Sequence, residues 1–109
     1  MSAVSFMNQN DTTPDMTGTC LDGDGAAVDL SGSTLLFHMR RKGTATPKIN
    51  SAASIVIAAS GTWKYEWLAG DTDTVGEFEF QLQVTFGGGD IRTFPNDGYN
   101  RLIVTEQIA

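Results

Sequence analysis

The residues able to do chemistry are few in this 109-residue sequence, and His38 is its only histidine. General acid-base work usually wants a histidine or a pair of carboxylates held close together in a pocket. His38 lies in Leu36-Phe37-His38-Met39, the middle of a strand-like run, where a structural histidine with satisfied hydrogen bonds is the expected role. No G-x-S-x-G turn is present to strain a nucleophile. The sequence therefore predicts no catalytic residue and no enzyme.

Metal and phosphate chemistry meet the same limits. Asp22-Gly23-Asp24-Gly25 opens like a calcium loop, yet its fifth position is Ala26 and its twelfth is Ser33, where a bidentate glutamate is needed. A hairpin turn ahead of Ala27-Val28-Asp29-Leu30 is the expectation instead. Asp71 and Asp73, in Gly70-Asp71-Thr72-Asp73-Thr74, could meet a cation, but Asp and Thr side chains in loops commonly cap their own backbone amides. Gly87 to Gly89 and Gly98 precede no helix whose N-terminus could cradle a phosphate, so they mark reversals. Cys20 is alone, cannot form an internal disulfide, and is expected as a small buried hydrophobe. Neither a cofactor nor a metal is predicted.

The most unusual segment is Thr93-Phe94-Pro95-Asn96-Asp97-Gly98-Tyr99. Pro95 removes a ladder donor and Gly98 permits a sharp bend inside what reads as the final strand. Residues 95 to 98 should bulge out and return the chain at Arg101, in register for Leu102 and Val104. Phe94 and Tyr99 should then face each other across the bulge, Phe94 plugging the end of the fold and Tyr99 reaching a partner.

Period-two alternation must position all of this. Phe78, Phe80, Leu82, Val84 and Phe86 interleave with Glu77, Glu79, Gln81, Gln83 and Thr85, a long strand with one wet face. Trp63, Tyr65 and Trp67 alternate with Thr62, Lys64 and Glu66. Leu35, Phe37 and Met39 alternate with Leu36 and His38, a strand expected to be covered on both faces. Weaker strand candidates are Val4 to Met7, Met16 to Leu21, Ala27 to Leu30, Ser54 to Ala58, Ile91 to Phe94 and Arg101 to Val104. The β-branched centre Ile55-Val56-Ile57 argues against a helix in the Ala-rich stretch 52 to 59. Arg40 to Ser51 reads as the longest loop. Glycines punctuate the reversals, and about eight strands near ten residues apart fit one small all-β domain.

A formal charge of −6 argues against nucleic acid and anionic lipid as partners. The start MSAVSFMNQND lacks a signal peptide's basic start and apolar run, and no apolar stretch is long enough to span a membrane. Synthesis in the cytosol without a membrane anchor is the expectation.

Five segments in order carry a resemblance. They are Pro14 before a strand; Leu21-Asp22-x-Asp24-Gly25-x-x-Val28-Asp29-Leu30; Leu36-Phe37-His38-Met39-Arg40; Tyr65-x-Trp67 with Gly70-Asp71-Thr72-Asp73-x-x-Gly76-x-Phe78; and Thr93-Phe94-Pro95-Asn96-x-Gly98-Tyr99. Together, from about Phe6 to Val104, the chain resembles the immunoglobulin-like N-terminal domains of tailed-phage baseplate upper proteins and related small tail proteins. The resemblance implies a single antiparallel immunoglobulin-like β-sandwich of seven to nine strands, spanning residues 1–109. It also implies a virion structural protein, made in the host cytoplasm, that adapts or attaches parts of the tail, baseplate or head-tail region. Partners would be other virion proteins and copies of itself in a symmetric assembly, with no catalytic residues involved. Such proteins usually continue into coiled-coil or receptor-binding regions, whereas this sequence runs to Ala109, so a stand-alone module is expected. At the corner entering strand F an immunoglobulin tyrosine hydroxyl usually bonds back to the loop. Phe78 has no hydroxyl, so Asp71 or Thr72 would have to hold that corner.

Edge strands and residues 1–10, an arm that orders on assembly, are the expected contacts, and removing residues 1–8 should spare folding. Candidate contact residues are Phe6, Asn8, Asn10, Phe94, Asn96 and Tyr99. The alternative reading is a decoration module on the particle surface that binds saccharide through exposed aromatics.

Overall fold

A computed structural model describes residues 4–95 and 98–108. Its strands are β1 (Val4–Asn8), β2 (Met16–Thr19), β3 (Thr34–Arg41), β4 (Pro47–Ile57), β5 (Thr62–Tyr65), β6 (Gly76–Thr85), β7 (Ile91–Phe94) and β8 (Asn100–Thr105). Eight strands fall within the expected seven to nine, and the described residues contain no α-helix, only a 3-10 turn at Ala58–Ser60. The chain is all-β.

The strands follow the path β1-β8-β6-β3-β4-β5-β2, with β7 also on β6. Every neighbouring pair is antiparallel except β1 and β8, which run parallel from Val4 opposite Arg101 to Asn8 opposite Thr105. That pair corrects the wholly antiparallel expectation. It also places Val4 to Asn8 inside the sheet, where an arm awaiting assembly was expected. The ordering extends further: the Gln9 amide donates to the Thr105 carbonyl at 2.7 Å and that of Asn10 to the Thr72 carbonyl at 2.9 Å.

β4 is the hinge of the architecture. Its first half pairs with β3, and from Ser54 onward it pairs with β5, with a register shift between Ile55 and Ile57. A bulge bends a strand and increases its twist. The sheet consequently curls until β5 lies over β3, and the Phe37 ring stacks on Tyr65 with centroids 4.5 Å apart. Trp67 meets both rings edge-on, at 5.8 Å and 5.4 Å. The inward residues of β6 and β8 complete one core with them. Each fully buried large side chain there contributes roughly 1.5 to 3 kcal/mol.

Several boundaries differ from the sequence reading. Arg40 to Ser51 is no long loop, because β3 runs to Arg41 and β4 begins at Pro47. Proline is tolerated at the first position of a strand, where no ladder donor is missed. Ala27 to Leu30 forms only an isolated bridge between Leu21 and Ala27. β5 stops at Tyr65, so Trp67 packs from the loop that follows. The second face of β3 is open: Leu36 is exposed and His38 half-buried.

β7 and β8 behave as one interrupted strand along the same edge of β6. Phe94 stands opposite Leu82, and Asn100 stands opposite Phe80. A step of two residues along β6 is therefore matched by six along its neighbour, an excess of four residues. This excess accords with the bulge expected over residues 95 to 98, of which 96 and 97 lie outside the described residues.

Candidate functional site

The loops that invited metal chemistry are tied into turns. Asp22 Oδ1 accepts the Asp24 and Ala26 amides at 2.9 and 3.0 Å, an Asx turn that closes the hairpin. Asp71 Oδ2 accepts the Tyr65 hydroxyl at 2.7 Å and the Leu68 amide at 2.8 Å. Thr72 is buried and donates its hydroxyl to the Asp11 carbonyl at 2.7 Å. Asp71 or Thr72 was expected to tie the loop before β6, and each makes such bonds, Asp71 to Tyr65 and Leu68 and Thr72 to Asp11. Burial, reinforced by the Asp71 carboxylate, pushes the Tyr65 hydroxyl up to about 12. Asp73 binds Lys48 at 2.7 Å and accepts from Thr74, and the Lys48 bond holds its carboxyl below the usual range. Among the described residues no three His, Cys, Asp or Glu side chains converge as a metal site. Cys20 is fully buried, and burial pushes its thiol up to about 11, against a smaller opposing pull from Arg92.

Two concavities stand out among the described residues, one on each side of the β6 sheet. The first is a hollow of about 220 Å³ on its solvent face. Strand register builds it row by row. His38 on β3 lies between Asn50 on β4 and Gln81 on β6, and in the next row Arg40 lies between Pro47 and Glu79. Arg40 Nε reaches Glu79 Oε1 at 3.1 Å, and this bond holds the guanidinium more firmly in its charged form. Tyr99 enters from the bulge, with the Arg40 guanidinium 4.7 Å from its ring centroid. Ala45 and Pro47 close the rim. Glu77, one row further, lies 3.2 Å from Lys42 Nζ and 3.7 Å from an Arg101 guanidinium nitrogen.

The second concavity is a cleft of about 810 Å³ between the β2 edge and the β7-β8 side, where the curled sheet fails to close. Buried Trp63, Phe80, Leu82 and Phe94 line it. Gly18 on β2 is required there, because a Cβ would stand 2.7 Å from the Trp63 ring.

The predicted contact residues do not form one site. Phe6 points outward from β1 and is 69% exposed, with Val4 also exposed on that face. Asn8 Oδ1 accepts the Thr105 hydroxyl at 2.9 Å, so its side chain secures the β1-β8 ladder. Asn10 takes a left-handed φ of 69° and is exposed. Phe94 is buried, only 6% exposed, and belongs to the core as expected of a plug. Tyr99 is 37% exposed and lines the hollow on the opposite face. The two aromatics therefore do not face each other, a correction that follows from pleating: Phe94 pairs in the inward row of Leu82, whereas Tyr99 shares the outward parity of Arg101, which stands opposite Glu79. Asn96 lies outside the described residues.

Sequence reasoning missed the hollow. Gln81 and Glu79 were legible as the wet face of β6, and His38 as a mid-strand residue. Asn50 was hidden in the presumed loop, so nothing in sequence order joined these residues. The sequence matches no protein-family model, and no curated protein is similar enough to be called a relative.

Proposed function

We propose that the chain is an immunoglobulin-like β-sandwich acting as an adaptor or attachment module in a tailed-phage virion, working through protein contacts with other virion proteins and with copies of itself. The observation that carries this reading is β1. It is a terminal strand whose far edge has no neighbour among the described residues, and it presents Val4 and Phe6 outward. Such an edge offers a row of backbone donors and acceptors to a partner strand, and an exposed aromatic beside it supplies anchoring area.

Further support comes from the corner before β6, held by Asp71 and Thr72 where an immunoglobulin domain would use a tyrosine. The chain's likeness to baseplate upper proteins, carried by five ordered segments, points to the tail or baseplate. The curl that stacks Phe37 of β3 on Tyr65 of β5 is compatible with a sandwich's facing layers.

The test is mass spectrometry of purified virions of the phage that encodes the chain, with copy number. Peptides at a fixed stoichiometry are expected, together with impaired incorporation of Phe6→Asp. Absence from particles, or normal incorporation of that variant, overturns the reading.

A further inference from the structure

We propose that the hollow over His38, Asn50 and Gln81 binds one ring of a neutral saccharide. This site is separate from the β1 edge, and the inference stands whether or not the chain is a virion adaptor.

Charge balance comes first. The ionised groups at the hollow, Arg40 and Glu79, are bonded to each other at 3.1 Å, and the adjoining Glu77 is matched by Lys42 and Arg101. A charged ligand would have to compete with the Arg40–Glu79 pair inside the hollow, and the one surplus positive charge, from Lys42 and Arg101 against Glu77, lies a row away outside its lining. A neutral ligand meets no such penalty.

Hydrogen-bonding capacity selects among neutral ligands. Among the described residues, the side chains of His38, Asn50 and Gln81 have no hydrogen-bond partner. Each carboxamide offers a carbonyl acceptor and two N–H donors, and a neutral imidazole offers one of each. Donors and acceptors are thus interleaved across the floor of one small cavity. Hydroxyl groups, which donate and accept at once, suit that mixture. An apolar side chain would leave these groups unpaired, and an unpaired buried polar group costs about 1 to 3 kcal/mol.

Shape supplies the remaining argument. At about 220 Å³ the hollow is smaller than the roughly 300 to 1,000 Å³ of drug-sized sites, which limits it to a single ring. Tyr99, Ala45 and Pro47 give an apolar rim for C–H groups, while the amides take the hydroxyls. The floor is rigid because β3, β4 and β6 are neighbouring strands in the middle of the sheet. Arg40 fixes the Tyr99 ring from beneath. A preformed site loses little entropy on binding.

The experiment is a titration of the isotope-labelled protein with glucose, galactose, N-acetylglucosamine and rhamnose to about 50 mM, a range that reveals affinities near 1 mM, followed by amide NMR. Saturable shifts with at least one sugar are expected at the Asn50 and Gln81 side-chain amides and at the backbone of residues 38 and 99. Affinity should fall at least tenfold in Gln81→Ala and in Tyr99→Ala, each first shown to fold by its thermal transition. Gln83→Ala, on the same face of β6 outside the hollow, should bind as the parent does. No saturable shift with any of the four sugars overturns the proposal. So do shifts located elsewhere, or equal shifts with inorganic phosphate or acetate.

Discussion

Replacing Phe94 and Tyr99 in turn by alanine tests whether the bulge sends its two aromatics to opposite faces. Phe94 is 6% exposed and packs in the inward row beside Leu82, so its truncation removes a core ring. Large aromatic truncations in cores cost about 3 to 5 kcal/mol, and the low end applies here because Phe94 borders a cleft that water can enter. Tyr99 is 37% exposed, and its removal leaves a wider hollow with no buried void. What is lost is the Arg40 contact, worth about 0.5 to 1 kcal/mol at an exposed site, and part of the ring's covered area. About 1.5 kcal/mol in all is the expected cost, with apolar area valued at roughly 25 cal/mol per Å². Urea denaturation with a constant slope should therefore separate the two variants by about 1.5 kcal/mol, equivalent to roughly 6 °C or more in melting temperature for a domain near this size. Equal losses, within about 0.5 kcal/mol, would show that both rings share one environment and that the face assignment is wrong.

Three further outcomes follow from the same structure. Gly61 and Gly25 both have positive φ, 68° and 82°, yet a Cβ at Gly61 would meet the Val28 and Cys20 carbonyl oxygens at 2.7 and 2.8 Å, whereas at Gly25 it meets nothing within 4 Å. Gly25→Ala should cost about 1 to 2 kcal/mol for the left-handed conformation, Gly61→Ala about 3 kcal/mol or more, and similar denaturation midpoints would refute the close approach. Tyr65 and Cys20 are raised to about 12 and about 11 from ordinary values of 10.0 and 9.0, so the folded state holds their protons longer than the unfolded chain does. Their contribution is complete below those ordinary values and is lost as pH rises from about 9 to 12, by up to about 1.4 kcal/mol per pH unit for each group; Tyr65→Phe should flatten the upper part of a stability-pH curve, and an unchanged curve would contradict the assignment. Deleting residues 1–8 removes a five-residue ladder and the partly buried Met7, so it should cost about 2 kcal/mol or more by calorimetry, and an unaltered transition would restore the free-arm reading.

What the sequence disclosed depended on whether a signal was local. β6 was legible because four apolar residues, Phe78, Phe80, Leu82 and Val84, alternate with five polar ones, and one buried face produces that pattern. The loop before β6 was legible in part, since Asp and Thr side chains in loops bond to nearby groups, as Asp71 does to the Leu68 amide. β4 was not, because its first half buries fully only Ile49 and otherwise reads Pro, Lys, Asn and Ser. The partner of β1 lies 97 residues away, at Arg101 for Val4, and no periodicity reports a pairing at that distance. The hollow inherits both difficulties: one side comes from the misread half of β4 and another from the bulge, whose outward side chain only the register reveals.

Register also explains why that bulge joins the core to the hollow without disturbing either. Side chains alternate faces along a strand, so an odd excess between β7 and β8 would turn Leu102 and Val104 toward solvent and bury Arg101. The excess is four, and alternation survives it: Leu102 opposes Phe78 and Val104 opposes Gly76, both inward, while Arg101 opposes Glu79 on the solvent face. Tyr99 is the last residue before pairing resumes, and the same parity turns it outward, directly over Arg40. Pro95 and Gly98 interrupt the ladder, and the even count decides that an aromatic ring ends beside unpartnered amides on the open face. The feature that most resembled a defect in the final strand is thus what supplies the apolar wall of the hollow.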